Sequence, residues 1–236
     1  MHKTEIYKEV LKRLKDGEIY KIAFIGDSLT SCEWIHPNWR EIFEYVLKFC
    51  FEEFKGDDWW IPEWNIKFFN YSLDGGSTKN YIESIKDCEK EVDPDMYIIM
   101  GTSNDFFFKI SPKKGRENIE NIFEILKNKQ VIYSPDIKCN DRKMDRRDIP
   151  YIDEILKISF PKNVHLVNGY EISKKFNPKK IYTLVENGTV DQVHPNVLGN
   201  GYIAKMFLEN IFGIEVDVEK YLKDVKSDKV KYPRWK

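Results

Sequence analysis

The sequence predicts an α/β fold, a five-stranded parallel sheet with helices on both faces. Three observations carry this. Five short apolar runs are each closed by a turn signal: Ile22 to Ile25, Asn65 to Tyr71, Met96 to Met100, Val131 to Tyr133 and Val164 to Val167. Runs of that length without polar alternation suit strands buried on both faces. Between them lie segments with helical apolar spacing, so the strands join through crossovers and run parallel. There is no internal repeat and no low-complexity linker, and the 236 residues are expected to form one domain with a tail over about 226–236.

In order along the chain, Ile6, Val10 and Leu14 recur every fourth residue and predict a surface helix ending at Gly17. The first strand stops at Gly26-Asp27-Ser28. A helix is predicted from about Trp39 to Phe54, with Ile42, Tyr45, Val46 and Phe49 on one face and Gly56-Asp57-Asp58 as its break. The second strand runs into Ser72-Leu73-Asp74-Gly75-Gly76-Ser77, whose paired glycines call for positive φ or close backbone approach. Ser77 or Thr78 is placed to cap the next helix, with Ile82 and Ile85 inward. The third strand breaks at Gly101-Thr102-Ser103-Asn104-Asp105, and a helix is predicted near Gly115 to Lys129. After the fourth strand, Ser134-Pro135 opens a charged loop to Asp148, and Pro150 starts a helix. Short helices are expected over 170–187, then Asp191-Gln192-Val193-His194-Pro195-Asn196, a long helix through Ile211, and a further helix over 214–225.

Composition narrows the function. Apolar residues at 42% and aromatics at 14% supply a full core. A net charge of −1 argues against a nucleic-acid binder. No stretch reaches the roughly 20 apolar residues of a membrane span. The first residues, MHKTEIYKEVLKRLKDGE, carry no hydrophobic region or cleavage site of a secretory signal, so a cytoplasmic location is expected. Cys32, Cys50, Cys88 and Cys139 lack metal-type spacing and are expected as free thiols.

Right-handed crossovers bring the loops at the strands' carboxyl ends to one rim, where open α/β sheets bind ligands. The polar residues gathered there are Ser28, Gly75, Ser77, Asn104, Asp191 and His194. A serine nucleophile needs a base within hydrogen-bond reach, and the base needs an orienting acceptor. Asp191 and His194, three apart, can form that pair locally. The Gly75 backbone N–H and the Asn104 amide can act as oxyanion donors.

These residues resemble the four sequence blocks of the SGNH/GDSL hydrolases. Gly26-Asp27-Ser28-Leu29-Thr30 is similar to the nucleophile block, Asn70 to Ser77 to the second with its glycine at Gly75, Gly101 to Asp105 to the third with its asparagine at Asn104, and Asp191 to His194 to the last. They occur in family order. The sequence departs from the pattern at Ser72, where a first glycine is frequent, and in the third block, where Thr102 and Ser103 separate Gly101 from Asn104. The resemblance implies a flavodoxin-like three-layer α/β/α sandwich. It implies Ser28 as nucleophile, His194 as base and then acid, and Asp191 as its orienter. The oxyanion hole would be the N–H groups of Ser28 and Gly75 with the Asn104 side chain. It implies no metal or other cofactor, and a small-molecule or glycan ester as substrate. Short acyl esters are favoured, including O-acetyl groups of a carbohydrate. The alternatives are acyl transfer, a lipase or thioesterase on longer chains, and a non-catalytic binding module. There is no G-x-S-x-G elbow around Ser28 and no G-x-G-x-x-G after the first strand.

Trp34 follows the nucleophile block closely and is the best aromatic candidate for touching substrate. Trp39, Trp59, Trp60 and Trp64 are expected mainly to pack. Asp27 is expected to accept hydrogen bonds in its own turn. His165 is expected to be structural, and the cations Lys138, Arg142, Lys143, Arg146 and Arg147 to form a solvated mixed-charge loop with their acidic neighbours.

Overall fold

The computed structural model describes residues 3–52 and 65–226. The Gly56-Asp57-Asp58 break, the aromatic loop with Trp59, Trp60 and Trp64, and the basic tail from Ser227 lie outside the described residues. In chain order the elements are α1 (Glu5–Lys15), β1 (Tyr20–Gly26), α2 (Trp39–Glu52), β2 (Ile66–Asn70), α3 (Thr78–Glu91), β3 (Met96–Met100), a 3₁₀ turn (Ser103–Phe106), α4 (Pro112–Ile125), β4 (Gln130–Ser134), α5 (Arg142–Ile155), β5 (Val164–Leu166), α6 (Gly169–Ser173), α7 (Pro178–Ile181), β6 (Val185–Glu186), β7 (Thr189–Val190), α8 (Val197–Phe207), a π-helical turn (Leu208–Phe212) and α9 (Val218–Lys226).

The five predicted strands pair in the order β2-β1-β3-β4-β5, all parallel. The order reverses at β1, so a crevice opens beyond the carboxyl ends of β1 and β3. Gly26 pairs with Met100 at that end, which sets Ser28 beside the turn that follows β3. Alternate side chains on β1 go to opposite faces. Ile22 and Phe24 join a core with α1, α2, α8, α9 and the π-helical turn; Ala23 and Ile25 join a second with Tyr81, Ile85, Ile119, Ile122 and Ile155 from α3, α4 and α5. Helices therefore cover both faces, the three-layer arrangement that the strand–helix alternation predicts. Trp39, expected to pack, is fully buried and stacks on Phe207 at 4.7 Å.

Local signals explain most boundaries. Ser77 caps α3 reciprocally with Asn80, and Gly75 has φ +67°. All four cysteines are free. Two expectations need correction. Residues 142–148 are helical, and Pro150 lies inside α5 instead of starting it. Asp141 caps this helix through the N–H groups of Lys143 and Met144. Its charges are the outer face of an amphipathic helix whose inner face carries Asp148, Tyr151, Ile152 and Ile155. That buried face outweighs the backbone hydrogen bond that an internal proline removes. The cations are also less free than expected, since Lys138 pairs with Asp145 at 2.6 Å and Arg147 with Asp148 at 2.9 Å.

The second correction is the β6–β7 hairpin, whose first strand lies at the end of the stretch 170–187 expected to hold short helices. Its two central residues, Asn187 and Gly188, have φ +49° and +81°. Asn-Gly is the strongest short signal for such a turn, and it was present in the sequence. At the hairpin base the Asp191 N–H donates to the Leu184 carbonyl at 2.7 Å. The hairpin thus delivers Asp191 to the rim.

Candidate active site

The turn after β1 is held by its own aspartate. The N–H groups of Thr30 and Ser31 both donate to the Asp27 carbonyl at 2.9 Å, and that of Leu29 to Asp27 Oδ1 at 3.0 Å. Asn38 ties the turn down from the other side, donating to the carbonyls of Thr30 and Ser31. Ser28 is left half-buried at the apex.

His194 arrives from the opposite end of the chain. Its Nε2 is 3.0 Å from Ser28 Oγ, and its Nδ1 is 2.6 Å from Asp191 Oδ2. Asp191 Oδ1 accepts the N–H groups of Val193 at 2.7 Å and His194 at 3.0 Å, so one carboxylate fixes both the loop and the ring. Burial raises the pKa of Asp191, but those N–H donors and the imidazole outweigh it and hold the carboxyl below its ordinary range. Asn196 closes the loop by capping α8 and donating to the Lys180 carbonyl. The hydrogen-bonded line Ser28–His194–Asp191 places an imidazole where it can take a proton from a serine hydroxyl.

Gly75 and Asn104 lie on the neighbouring turns. Asn104 Nδ2 is 3.3 Å from the Gly76 carbonyl and 3.4 Å from Asp27 Oδ2, so its amide is held between the second loop and the turn after β1. Asp27 therefore accepts within its own turn, as expected, and also reaches Asn104. Ser77 serves as the cap of α3.

Trp34 bridges the crevice. Its indole stacks on the His194 ring at 4.0 Å, 5° from parallel, and its N–H donates to Asp74 Oδ1 at 3.0 Å. The side chain that sequence reasoning assigned to substrate thus has one face on His194. His165 is exposed on β5 and His36 lies against Glu41; the structure does not bring either into the cluster.

Sequence reasoning missed a set of buried carboxyls behind these turns. Asp136 Oδ2 accepts the N–H groups of Thr102 at 2.8 Å and Ser103 at 2.6 Å. Asp105 is fully buried and accepts from the backbone and hydroxyl of Thr78. Burial pushes the Asp105 carboxyl up to about 6, and pushes Asp27 and Asp136 up as well, with mutual repulsion adding to the rise at Asp27. Gly101 sits among them at φ +122°; a Cβ there would lie 2.4 Å from Tyr81 Oη and 3.0 Å from Asp27 Oδ2. An aspartate directly after Asn104 and another directly after Ser-Pro at a strand end were visible in the sequence, but nothing local marked them as buried.

At the N-terminal ends of α4 and α5, on the same rim, a cavity of about 740 Å³ is lined by Phe106, Pro112, Lys143, Met144, Arg147 and Tyr151. Phe106 is two residues from Asn104 and, like Phe107, lies under the Arg147 guanidinium, at 5.1 and 4.5 Å. Among the described residues no group of three or more His, Cys, Asp or Glu side chains is placed to hold a metal ion, and no helix is long and apolar enough to cross a membrane.

The architecture is the SGNH/GDSL hydrolase fold. It is similar to a single-residue variant of the acetyl xylan esterase Axe2 from Geobacillus stearothermophilus, with TM-score 0.66 and 19% identity over 84% of this chain and 97% of that one. It is also similar to the lipase/acylhydrolase from Enterococcus faecalis, with TM-score 0.62 and 18% identity over 82% and 95% of the two chains. A member of the lipolytic protein G-D-S-L family from Veillonella parvula gives TM-score 0.61 and 17% identity over 80% and 97%. No protein-family model matches the sequence, and no curated protein matches it.

Proposed function

We propose that the protein is a serine ester hydrolase working through an acyl-enzyme. The observation that carries this is the continuous line from Ser28 Oγ through His194 to Asp191, at 3.0 and 2.6 Å. Ser28 Oγ attacks the ester carbonyl while its proton passes to His194 Nε2. The tetrahedral oxyanion is met by the N–H groups of Ser28 and Gly75 and by the Asn104 amide. Collapse breaks the bond to the alcohol, which leaves with the proton from Nε2. Water then attacks the acyl-enzyme, with His194 again as base, and the acid is released. Asp191 stays ionised throughout, holding Nδ1–H and stabilising the imidazolium.

The substrate reading is a short acyl ester, with O-acetyl groups of a carbohydrate the favoured case. The acetylxylan esterase named above has the same fold, and Trp34 crowds the crevice between His194 and the Asp74–Gly75 loop. The apolar cavity lined by Phe106, two residues from Asn104, favours a second reading, in which a bulkier acyl or alcohol group lies against Phe106 and Met144. A fluorophosphonate probe is expected to label Ser28, and labelling is expected to disappear in Ser28→Ala; an unlabelled wild-type protein would identify a binding module. Acetyl p-nitrophenyl esters are expected to turn over faster than octanoyl ones, and a strong octanoyl preference would favour the second reading.

Trp34 supports the base as well as narrowing the crevice. A parallel aromatic contact contributes about 1 kcal/mol, which corresponds to roughly a five- to tenfold change in rate. Trp34→Ala is therefore expected to lower kcat by about that factor, while Trp34→Phe, which keeps a stacking ring, retains most of it. Equal losses in the two variants would mean that the N–H to Asp74 matters more than the stack.

A further inference from the structure

We infer that Asp105 is a positioning residue that, as a carboxylate, joins the Asn104 turn to the Gly75 loop and so assembles the oxyanion hole. The inference rests on the esterase reading and adds a residue to it. The two donors are carried on different loops, after β3 and after β2, whose direct contact through the Asn104 amide and the Gly76 carbonyl is long, at 3.3 Å. Asp105 is the residue after Asn104, and Thr78 is three residues after Gly75. The Thr78 N–H donates to Asp105 Oδ1 and the Thr78 hydroxyl to Asp105 Oδ2, both at 2.8 Å. Asn118 on α4 donates to the same hydroxyl at 2.8 Å, which turns its proton toward Asp105. Gly115 leaves room for the carboxylate, since a Cβ there would be 2.7 Å from Asp105 Oδ2. Asp136 holds the front of the same turn through Thr102 and Ser103.

Both Thr78 groups donate to Asp105, which as a carboxylate accepts at each oxygen. A protonated carboxyl or an Asn side chain can still accept the Thr78 N–H, but it must reverse the second bond and donate to the Thr78 hydroxyl, whose own proton then loses Asp105 as its acceptor. The groups facing Asp105 are the Thr78 pair and Tyr81 from α3, Tyr151 from α5, and Tyr133 and Asp136 from β4 and the loop after it, with Asn118 of α4 behind the Thr78 hydroxyl. Arg147 is engaged by Asp148, and the groups that donate to the Asp105 carboxyl are the neutral N–H and hydroxyl of Thr78. Burial, with repulsion from Asp136, therefore leaves Asp105 ionised only above about pH 6. The sign for stability is opposite to that for activity. An unfolded chain releases this proton near pH 4, so the fold loses stability as pH rises from about 4 through about 6, while the ionised hole becomes competent.

The test is the pH profile of kcat/KM on p-nitrophenyl acetate for wild type, Asp105→Asn and Ser28→Ala. The wild-type acid limb is expected to fall with the slope of two protons, one taken up by the general base and one by Asp105. Asp105→Asn is expected to lower kcat roughly 10- to 100-fold with KM little changed, because a displaced donor costs up to what a missing one does. Its acid limb is expected to have the slope of one proton, and its melting temperature at pH 8 to be at or above that of wild type. A purely structural role would lower the melting temperature and leave the slope unchanged. A one-proton limb in wild type, which can be read even if the variant does not fold, would overturn the inference, as would a kcat in Asp105→Asn within about threefold of wild type. Turnover that persists in Ser28→Ala, or no turnover in wild type, would instead remove the esterase reading on which the inference stands.

Discussion

Ser28→Ala is expected to lose roughly 10⁴- to 10⁶-fold of its turnover of p-nitrophenyl acetate, the largest effect of any single substitution in this chain. The serine hydroxyl stands at the apex of the β1 turn, 3.0 Å from His194 Nε2. Alanine removes the bond-forming oxygen but leaves the turn intact, because the turn is held by Asp27 and Asn38 and not by Ser28. The melting temperature should accordingly stay within about a degree or two of wild type, as for other half-exposed truncations that break no core contact. Residual activity would come from the oxyanion donors and His194 acting on a bound water. A loss smaller than about tenfold would mean that the ester is cleaved elsewhere.

The same turn explains why so much of the architecture was legible in the sequence. The strands are buried on both faces, so each reads as an unbroken apolar run, and each ends where a glycine or polar turn residue must take over. β3 coincides with Met96 to Met100, and Gly101 at φ +122° marks its end as a position for glycine. Ser28 and Asn104 stood out because each is polar and next to such an end, and Asp191 and His194 because they lie three apart on one loop. Elements whose signals are not periodic were harder to see. α5 was hidden by Pro150 and by charges that alternate in sign along its exposed face. The β6–β7 hairpin is only two residues per strand, too short for any alternation to register, although Asn187-Gly188 announced its turn. The buried carboxyls were invisible for another reason. Asp105 and Asp136 are buried because backbone donors from distant segments converge on them, and convergence of that kind is a property of the fold and not of the local sequence. The role of Trp34 could not be read either, since its partner His194 is 160 positions away.

Asp191→Asn is the second large effect, and it separates orientation from mere charge. Asp191 Oδ1 accepts the N–H groups of Val193 and His194, and an asparagine carbonyl can do the same, so the loop should keep its shape. The amide nitrogen would then face His194 Nδ1, where Asp191 Oδ2 now lies at 2.6 Å. An N–H donor there demands that Nδ1 be the acceptor, which moves the ring proton to Nε2. Nε2 would then point a hydrogen at Ser28 Oγ and could no longer take its proton. The loss in kcat is expected to be roughly 10³- to 10⁴-fold with KM little changed. Asp191→Ala should lose no more than this, because an imidazole freed from Nδ1 can still adopt the productive tautomer part of the time. An asparagine variant more active than the alanine one would mean that Asp191 acts mainly through the loop, and that the tautomer of His194 is set by another group.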